Sequence, residues 1–432
     1  MKKIKILLLV FCIIFLFSGC SSFRLATSID DLISPISPSG DNAGVQNAVD
    51  EYCKGGYLIK IPSSGDYATS FVFYDLDGDE KDEAIAFYEP SSALGTVNMA
   101  VLNKNPDGKW SVVDNIQGNG TAVHRVDFSD VNNDGNAEII VCWSLISKST
   151  NFNLEVYRYE NADGSYNLAA VDEPVTAGEF ICADVNDDGA NELLVFMVGT
   201  SSESARAALY SFKNNEKRLL GETKLDGTIS SFSTIAAGKT DEGTSVYADA
   251  VRSDGNSMVT ELIYWSNYYD SIVSPFYSYS TGRTKETARS SMISSKDIDG
   301  DGVIEIPTDE EVSALPEQIT AQSWVKYEST VLKHKCYSYS CKRDGYSLIV
   351  DDKLFSKINV EYDNDRRELT VLNDNQVCFG IVTVLKSAYN PSEYKDYEEI
   401  FSNSGFVYLA KTDEKSDINI TIDDLKNMIK SY

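Results

Sequence analysis

The residue pattern with the clearest chemical meaning is a nine-residue acidic loop flanked by apolar segments. Asp184, Asn186 and Asp188 stand at alternate positions, and Glu192 follows at the ninth position. A tight turn brings alternate residues to its inside, so these four oxygen-bearing side chains can converge on one ion. Gly189 at the sixth position supplies the positive φ that such a turn needs. Because hard cations prefer oxygen ligands, the loop is predicted to bind a metal ion, and Ca²⁺ suits this ligand set better than a softer metal.

The same pattern occurs three more times along the chain. The residues at positions 1, 3, 5 and 9 of these copies are Asp75, Asp77, Asp79 and Glu83; Asp130, Asn132, Asp134 and Glu138; and Asp297, Asp299, Asp301 and Glu305. The first positions of the four copies are 55, 54 and 113 residues apart, so the last gap is about two periods. The chain is therefore predicted to contain five units with a period of 54 to 58 residues.

The unit in the middle of that last gap lacks the full set of acidic residues. Lys239 stands where the other copies carry the first aspartate, and Asp241 keeps the third position. We expect the Lys239 ammonium to take the place of the ion and to pair with Asp241 or with nearby carbonyl groups. The alternative is a lysine that points into water from a solvated turn.

The segments around each loop are predicted strands. The second unit divides into four of them, at residues 123–128, 138–143, 154–159 and 166–172. The run after each acidic loop is almost continuously apolar, which indicates a strand buried on both faces. Four-stranded units stacked around an axis bury their sheets in this way, so we predict a mainly β fold with a β-propeller of about five four-stranded blades over residues 45–335. An open solenoid is the alternative architecture.

These loops and their flanking strands resemble FG-GAP/VCBS repeats, the blades of integrin-α-like propellers, over about residues 55–330. The resemblance implies that positions 1, 3, 5 and 9 bind Ca²⁺ together with a backbone carbonyl at position 7. It supplies no biochemical activity. The first loop departs from the pattern, because Glu80 stands where glycine is expected and must adopt positive φ at a cost on the order of 1 kcal/mol. Acidic turns that hold only water are the alternative to metal sites.

Residues 1–19 have a basic start, an apolar core and small residues before Cys20. The apolar stretch is too short for a comfortable membrane span and is typical of a signal peptide. It is similar to a bacterial lipoprotein signal, which implies that Cys20 carries a lipid at the extracytoplasmic face of the cell membrane. An ordinary secretory signal with an incidental cysteine is the alternative. Residues 20–44 are rich in Ser, Pro, Asp and Gly and are predicted to form a flexible tether.

The repeat ends near residue 343, and residues 343–432 are predicted to form a separate α+β domain. Helices are predicted at residues 391–400 and 421–431, the second with Thr421 and Asp424 as a capping box. The acidic segment 308–323 is also compatible with a helix, and residues 43–54 have the spacing of a short amphipathic helix. No motif in the last domain indicates its function.

The composition and motif content limit the classes of partner and activity that this chain can have. The formal net charge is −28 and the sequence shows no basic stripe, so we predict that nucleic acid is not a partner. Neither of the two histidines, His124 and His334, lies in a metal-binding or nucleophile motif. We therefore predict a lipid-anchored binding or scaffold module for an extracellular protein or glycan. An enzyme acting on polysaccharide or peptidoglycan is the alternative. The ligand surface is expected in the divergent loops at residues 90–96, 145–151, 199–205 and 268–284.

Overall fold

The computed structural model of the protein describes residues 40–145, 150–162, 165–200, 203–413 and 416–431. Within them the chain is mainly β and forms several antiparallel sheets, none of which closes on itself. The predicted leader, Cys20 and the predicted tether up to residue 39 lie outside the described residues.

Helices are few and short in the described part of the chain. They are α1 (Asp41–Tyr52), α2 (Asp352–Phe355) and α3 (Ile422–Met428), with 3-10 turns at Lys213–Asn215, Lys386–Ala388 and Pro391–Glu393. Helix α1 confirms the helix predicted for residues 43–54. Across the described ranges, no helix has the length and apolar character that a membrane crossing requires.

The first four sheets follow one another along the chain. Sheet I contains β1 (Tyr57–Ile59), β2 (Val72–Tyr74), β3 (Glu83–Pro90), β4 (Asn98–Lys104) and β5 (Trp110–Gln117). Sheet II contains β6 (Ala122–Ser129), β7 (Glu138–Ser144), β8 (Phe152–Ala162), β9 (Ser165–Ala170) and β10 (Val175–Ala177). Sheet III contains β11 (Glu179–Ala183), β12 (Glu192–Met197), β13 (Arg206–Ser211) and β14 (Arg218–Lys224). Sheet IV contains β15 (Ile229–Thr240), β16 (Gly243–Arg252), β17 (Met258–Ser266) and β18 (Ser271–Val273). The four strands predicted for the second unit are confirmed as β6 to β9.

A short hairpin and two further sheets complete the described chain. The hairpin consists of β19 (Tyr277–Ser278) and β20 (Arg283–Thr284). Sheet V contains β21 (Ile306–Glu310), β22 (Ile319–Glu328), β23 (Val331–Cys341), β24 (Tyr346–Val350) and β30 (Ile429–Ser431). Sheet VI contains β25 (Ile358–Asp363), β26 (Glu368–Asn373), β27 (Gln376–Leu385), β28 (Glu398–Ser402) and β29 (Phe406–Thr412). Sheet V takes strands from both sides of the predicted domain boundary between residues 335 and 343, and β23 runs across it.

Consecutive sheets pack face to face through separate apolar clusters. In β7, Ile139, Val141 and Trp143 face sheet I. Ile140 and Cys142, which alternate with them, face sheet III. Successive side chains of a strand point to opposite faces, so this alternation places β7 between two sheets. Alternate side chains of β12 and of β16 likewise pack against the sheets on either side of the strand. The predicted burial of these apolar runs on both faces is confirmed.

Each end of this row of sheets is covered differently. Val45 and Val49 of α1 pack on the face of sheet I that points away from sheet II. At the other end, sheets V and VI share one apolar cluster that contains Tyr346 of β24, Leu369 of β26 and Leu425 of α3. Helix α3 therefore closes the core between the last two sheets.

Three predicted helices need correction. Residues 308–323 are not helical, because they form the end of β21, the connection at residues 311–318 and the start of β22, and the two strands pair with each other in sheet V. Residues 391–400 form one 3-10 turn and the start of β28, an edge strand that turns Glu398 and Glu399 to solvent and buries Ile400. The helix predicted for residues 421–431 ends at Met428, where β30 begins and pairs with β24. In each case strand pairing overrides the local helix signal.

Candidate metal centres

Loops A (residues 75–83), B (130–138), C (184–192) and D (297–305) share one pattern of hydrogen bonds. In every loop the position 1 aspartate accepts the backbone N–H groups of positions 5 and 6. The position 5 aspartate accepts the backbone N–H of position 7. These bonds wrap the backbone around the first aspartate, so all four loops have the tight turn that their spacing predicts.

The turn needs a left-handed backbone at positions 4 and 6. Position 4 is Gly78, Asn133, Asp187 or Gly300, with φ between 55° and 82°. Position 6 is glycine in loops B, C and D, but in loop A it is Glu80 with φ of 67°. The strain predicted at Glu80 is therefore present, whereas Asn and Asp tolerate this region at lower cost.

The position 9 glutamates are the most deeply placed acids of the loops. Glu83, Glu138 and Glu192 are 1% exposed, and Glu305 is 0% exposed. In each case Oε2 accepts the backbone N–H of position 2 at 2.9–3.1 Å. Burial, assisted by the neighbouring loop aspartates, raises the pKa of Glu83, Glu138 and Glu192 to about 7. A cation held in the loop would favour their ionised form.

Loop A brings three of its predicted ligands together. Carboxylate oxygens of Asp75, Asp77 and Glu83 lie within 4.8 Å of one another, so this group could hold a metal ion. Within the described ranges, Oδ1 of Asp77 is shielded from solvent and has no hydrogen-bond partner. Its other oxygen accepts the side-chain amide of Asn161 at 2.7 Å. A buried acceptor without a partner is costly, and a cation at this point would satisfy it.

Loops B and C carry asparagine at position 3, and its amide nitrogen faces the acids. Nδ2 of Asn132 donates to Asp134 at 2.8 Å and to Glu138 at 2.7 Å. Nδ2 of Asn186 lies 3.3 Å from Asp188. In both loops an amide donor takes the side of the loop where a cation would lie. Rotating the amide group exchanges its two ends and presents an oxygen instead.

Lysines contact the position 5 aspartate of loops A and C. Nζ of Lys81 lies 2.7 Å from Asp79, and Nζ of Lys213 lies 2.6 Å from Asp188. All four side chains are more than one-third exposed. Water competes for such pairs, so they leave the carboxylates free to change partner.

Loop D differs, because one lysine reaches three of its four predicted ligands. Carboxylate oxygens of Asp297, Asp299 and Glu305 lie within 4.8 Å of one another and could hold a metal ion. However, Nζ of Lys335 lies 2.8 Å from Asp299, 2.7 Å from Asp301 and 2.7 Å from Glu305. Burial alone would lower the pKa of this ammonium, but its hydrogen bonds to the three carboxylates raise it above the usual range.

The segment around Lys239 is a tight hairpin between β15 and β16 and does not form a loop of the kind seen in loops A to D. Lys239 pairs with Thr244 across the hairpin, and its Nζ lies 2.8 Å from that hydroxyl and 3.6 Å from Asp187 of loop C. The predicted pair with Asp241 is wrong, because the carboxylate within ion-pair distance of Lys239 is that of Asp187, and Asp241 accepts a backbone N–H from the turn between β22 and β23. The Lys239 side chain is 71% exposed, so it does not fill an ion position.

The predicted ligand loops fall into two groups. Three of them follow the strand after an acidic loop, at the end opposite to that loop: residues 90–96 join β3 to β4, residues 145–151 join β7 to β8, and residues 199–205 join β12 to β13. Residues 146–149 and 201–202 lie outside the described residues. The fourth, residues 268–284, follows the third strand of sheet IV and is not equivalent. The equivalent connection there is residues 253–257, which join β16 to β17, whereas the tyrosine-rich segment follows β17.

A hydrogen-bonded row around His334 was not indicated by the sequence. Nδ1 of His334 lies 2.7 Å from Oγ of Ser323, and Nε2 lies 2.8 Å from Oδ1 of Asp352. A hydroxyl, an imidazole and a carboxylate in series can relay a proton. The Asp352 side chain is 71% exposed, so water competes for its charge, unlike the buried acid of Ser-His-Asp hydrolases. Only the pairing of β22 with β23 brings Ser323 and His334 together, and no local motif could reveal it.

No family model matches the chain, and no curated protein matches it. Among solved structures, a hypothetical selenium-binding protein from Sulfolobus tokodaii matches with a TM-score of 0.31 and 12% identity, over 49% of this chain and 54% of that chain. This chain thus spans about half the length of that protein. A candidate 6-phosphogluconolactonase from Bacteroides fragilis matches with a TM-score of 0.27 and 11% identity, over 74% of this chain and 95% of that chain. Similarity at these TM-scores establishes neither fold nor function.

Proposed function

We propose that this chain is an extracytoplasmic binding module of the FG-GAP/VCBS type, with sheets I to V as propeller-like blades and Ca²⁺ in its acidic loops. The observation that carries the proposal is the repetition of one loop framework in sheets I, II and III and again before β21 of sheet V. In loops A to D the same positions accept the same backbone N–H groups. Loops A, B and C join two paired strands of sheets I, II and III, and loop D precedes β21 and is closed by the bridge between Lys296 and Glu305. Chance acidic turns have no reason to repeat these bonds four times.

Neighbouring sheets also repeat their contacts with these loops. Asn161, at the end of β8 in sheet II, donates to Asp77 of loop A. Asn215, after β13 in sheet III, accepts from Asn132 of loop B at 2.9 Å. Sheets II and III thus each contact the position 3 side chain of the loop in the sheet before it. This relation supports a series of equivalent blades, since stacked repeats contact their neighbours in the same way.

Loops A, B and C are the proposed Ca²⁺ sites. Their donors are Asp75, Asp77, Asp79 and Glu83; Asp130, Asn132, Asp134 and Glu138; and Asp184, Asn186, Asp188 and Glu192. Bound Ca²⁺ would offset the negative charge that remains on these loops. Calcium modules outside cells typically bind in the ~10⁻⁴–10⁻³ M range, so we expect sites of that strength.

Ca²⁺ binding by loop A can be tested at Asp77, whose Oδ1 is buried without a partner. Asp77→Ala is expected to lower the number of bound Ca²⁺ ions by one in equilibrium dialysis. Asp82→Ala is the matched control, because Asp82 is an exposed acid of the same loop at position 8, outside the ligand set. Equal losses in both variants would indicate diffuse attraction of cations and would contradict a site.

Attachment to the outer face of the cell membrane through Cys20 is part of the same proposal. It rests on the resemblance of residues 1–19 to a lipoprotein signal. Such an anchor carries at least two acyl chains, which is enough for stable attachment. Cys20→Ala is expected to move the protein from the membrane fraction to the soluble fraction. Unchanged fractionation would contradict lipid anchoring.

The proposed ligand surface lies at the end of the sheets opposite to the acidic loops. There the β3–β4 connection exposes Leu94 and the β7–β8 connection exposes Leu145, which are 80% and 52% exposed. Connecting loops on a rigid scaffold are common binding surfaces. We propose that this surface binds an extracellular protein or glycan without chemical turnover.

A hydrolase is the second candidate, and the row of Ser323, His334 and Asp352 is the observation that favours it. Turnover of an ester, peptide or glycan substrate that is lost in Ser323→Ala, but kept in Thr308→Ala on the neighbouring strand, would move the protein to that class. Binding without turnover in the wild-type chain would leave the binding module as the answer.

A further inference from the structure

The cation that loop D faces belongs to the chain itself. Nζ of Lys335 lies 2.8 Å from an oxygen of Asp299 and 2.7 Å from oxygens of Asp301 and Glu305. These acids fill positions 3, 5 and 9, three of the four positions predicted to bind metal. An ammonium has three N–H donors. Here three different carboxylates are available to accept them.

The location of this ammonium is fixed by its surroundings. Lys335 is the extra residue at a register shift of β23, since its neighbours His334 and Cys336 pair with Val325 and Trp324 of β22. Its side chain is 19% exposed, and the Glu305 side chain is fully buried, so the glutamate charge requires a partner. Lys81 and Lys213, by contrast, are more exposed and contact only the position 5 aspartate of their loops.

We propose that Lys335 is the resident cation of loop D, and that loop D therefore binds no metal ion in the wild-type chain. A divalent ion at the same oxygens would have to displace an ammonium that is held there by its own strand. Coulomb repulsion prevents the two charges from sharing the site. The comparison with loops A to C as metal sites rests on the proposed function, whereas the assignment of Lys335 rests on the contacts of loop D.

If Lys335 takes the place of a metal ion in loop D, the folding of sheet V, the last sheet of the repeat region, does not depend on bound metal. Tyr339 and Cys341, further along β23, belong to the apolar core shared with sheet VI. The ion pairs of Lys335 thus connect the loop before β21 to a strand that enters this core. We expect chelation of metal to leave sheets V and VI folded.

The first test removes the ammonium and counts bound Ca²⁺ by equilibrium dialysis of the full chain in detergent. Lys335→Met is expected to bind one more Ca²⁺ ion per chain than the wild type. Lys333→Met is the matched control, because Lys333 lies on the same strand but pairs with the exposed Glu328. It is expected to bind the same number as the wild type. An unchanged count in Lys335→Met overturns the proposal.

A second variant keeps the lysine and removes one acid, so it does not depend on the folding of Lys335→Met. Asp301→Asn is expected to leave the number of bound Ca²⁺ ions unchanged, whereas Asp79→Asn in loop A is expected to remove one. Loss of an ion in Asp301→Asn overturns the assignment of Lys335, whatever loop A does. A wild-type chain that binds no Ca²⁺, with a Lys335→Met chain that binds one, contradicts the function proposed for loops A to C and supports the assignment.

Discussion

Buried carboxylates in this molecule differ in how their charge is compensated. Glu305 has an ammonium beside it, whereas Glu261 on β17 has only neutral donors. Glu261 is fully buried and accepts the backbone N–H of Asp226 at 2.7 Å and the hydroxyls of Thr284 and Ser274 at 2.9 and 3.0 Å. Burial outweighs these hydrogen bonds and raises the pKa of Glu261 to about 7.

This raised pKa predicts a pH-dependent stability. The native state binds the Glu261 proton more tightly than the unfolded state, whose carboxyl keeps a pKa near 4.5. The contribution to the free energy of unfolding is therefore complete below about pH 4.5 and is lost as pH rises through about 7. In urea titrations between pH 5 and 8, Glu261→Gln is expected to lose less stability than the wild type. Glu222→Gln, at an exposed site on β14, is the control, and parallel curves for all three proteins would contradict the prediction.

At the scale of single residues, contacts within a short segment can be predicted from residue spacing, whereas contacts between residues far apart in the chain cannot. The alternate acids of the four loops, and the positive φ at Glu80, follow from nine consecutive residues and could be predicted. Lys335 could not, because it lies beyond β21 and β22 from the loop it enters, and its position depends on the pairing of β22 with β23. The environment of Lys239 could not be predicted for the same reason. Its hairpin is shorter than the acidic loops, so it does not surround the ammonium.

Among the elements, helix α3 combines a local signal with a role in the core. The hydroxyl of Thr421 accepts the backbone N–H of Asp424, and the Asp424 carboxylate accepts the backbone N–H of Thr421. This capping box, which the sequence predicts, satisfies donors at the start of the helix. Leu425, one turn later, is fully buried in the core shared by sheets V and VI. The cap therefore orients a helix whose packing joins two sheets.

Loss of the Thr421 cap has a calculable cost. Thr421→Ala is expected to lower the free energy of unfolding by about 1 kcal/mol, because one backbone donor loses its partner. Thr421→Ser keeps an oxygen at the same place and is expected to retain most of the stability. Guanidinium titrations measure both values. If the serine variant is destabilised as much as the alanine variant, the cap does not stabilise the helix.

Whether a helix or strand can be predicted from the sequence depends on how much of it is buried, because burial restricts which residues it can contain. Strands that are buried on both faces, such as β7 and β12, are continuously apolar and could be recognised. Strands at the edges of sheets could not, since β28 presents acids to solvent and looks like a helix in sequence. The end of α3 at Met428 was also missed, because only the pairing of β30 with β24 specifies it.

The whole molecule carries a large negative charge, −28 by formal count, and a substantial part of it is concentrated in repeated loops. Close carboxylates repel one another in the folded state more than in the unfolded chain, so cations should stabilise this protein in two ways. Any salt screens the general repulsion. Only an ion that fits the loops adds the free energy of specific binding.

The last prediction separates these two effects by comparing Ca²⁺ with Na⁺. At about 100-fold saturation, each site that binds only the native state adds about 2.7 kcal/mol to the free energy of unfolding. Adding CaCl₂ to the chelated protein is therefore expected to raise Tm well above the value in NaCl of matched ionic strength. Asp77→Ala should reduce that difference, whereas Asp82→Ala should preserve it. Because screening depends on ionic strength and not on the fit of an ion, equal Tm values in the two salts would mean that the loops are acidic turns without a bound metal.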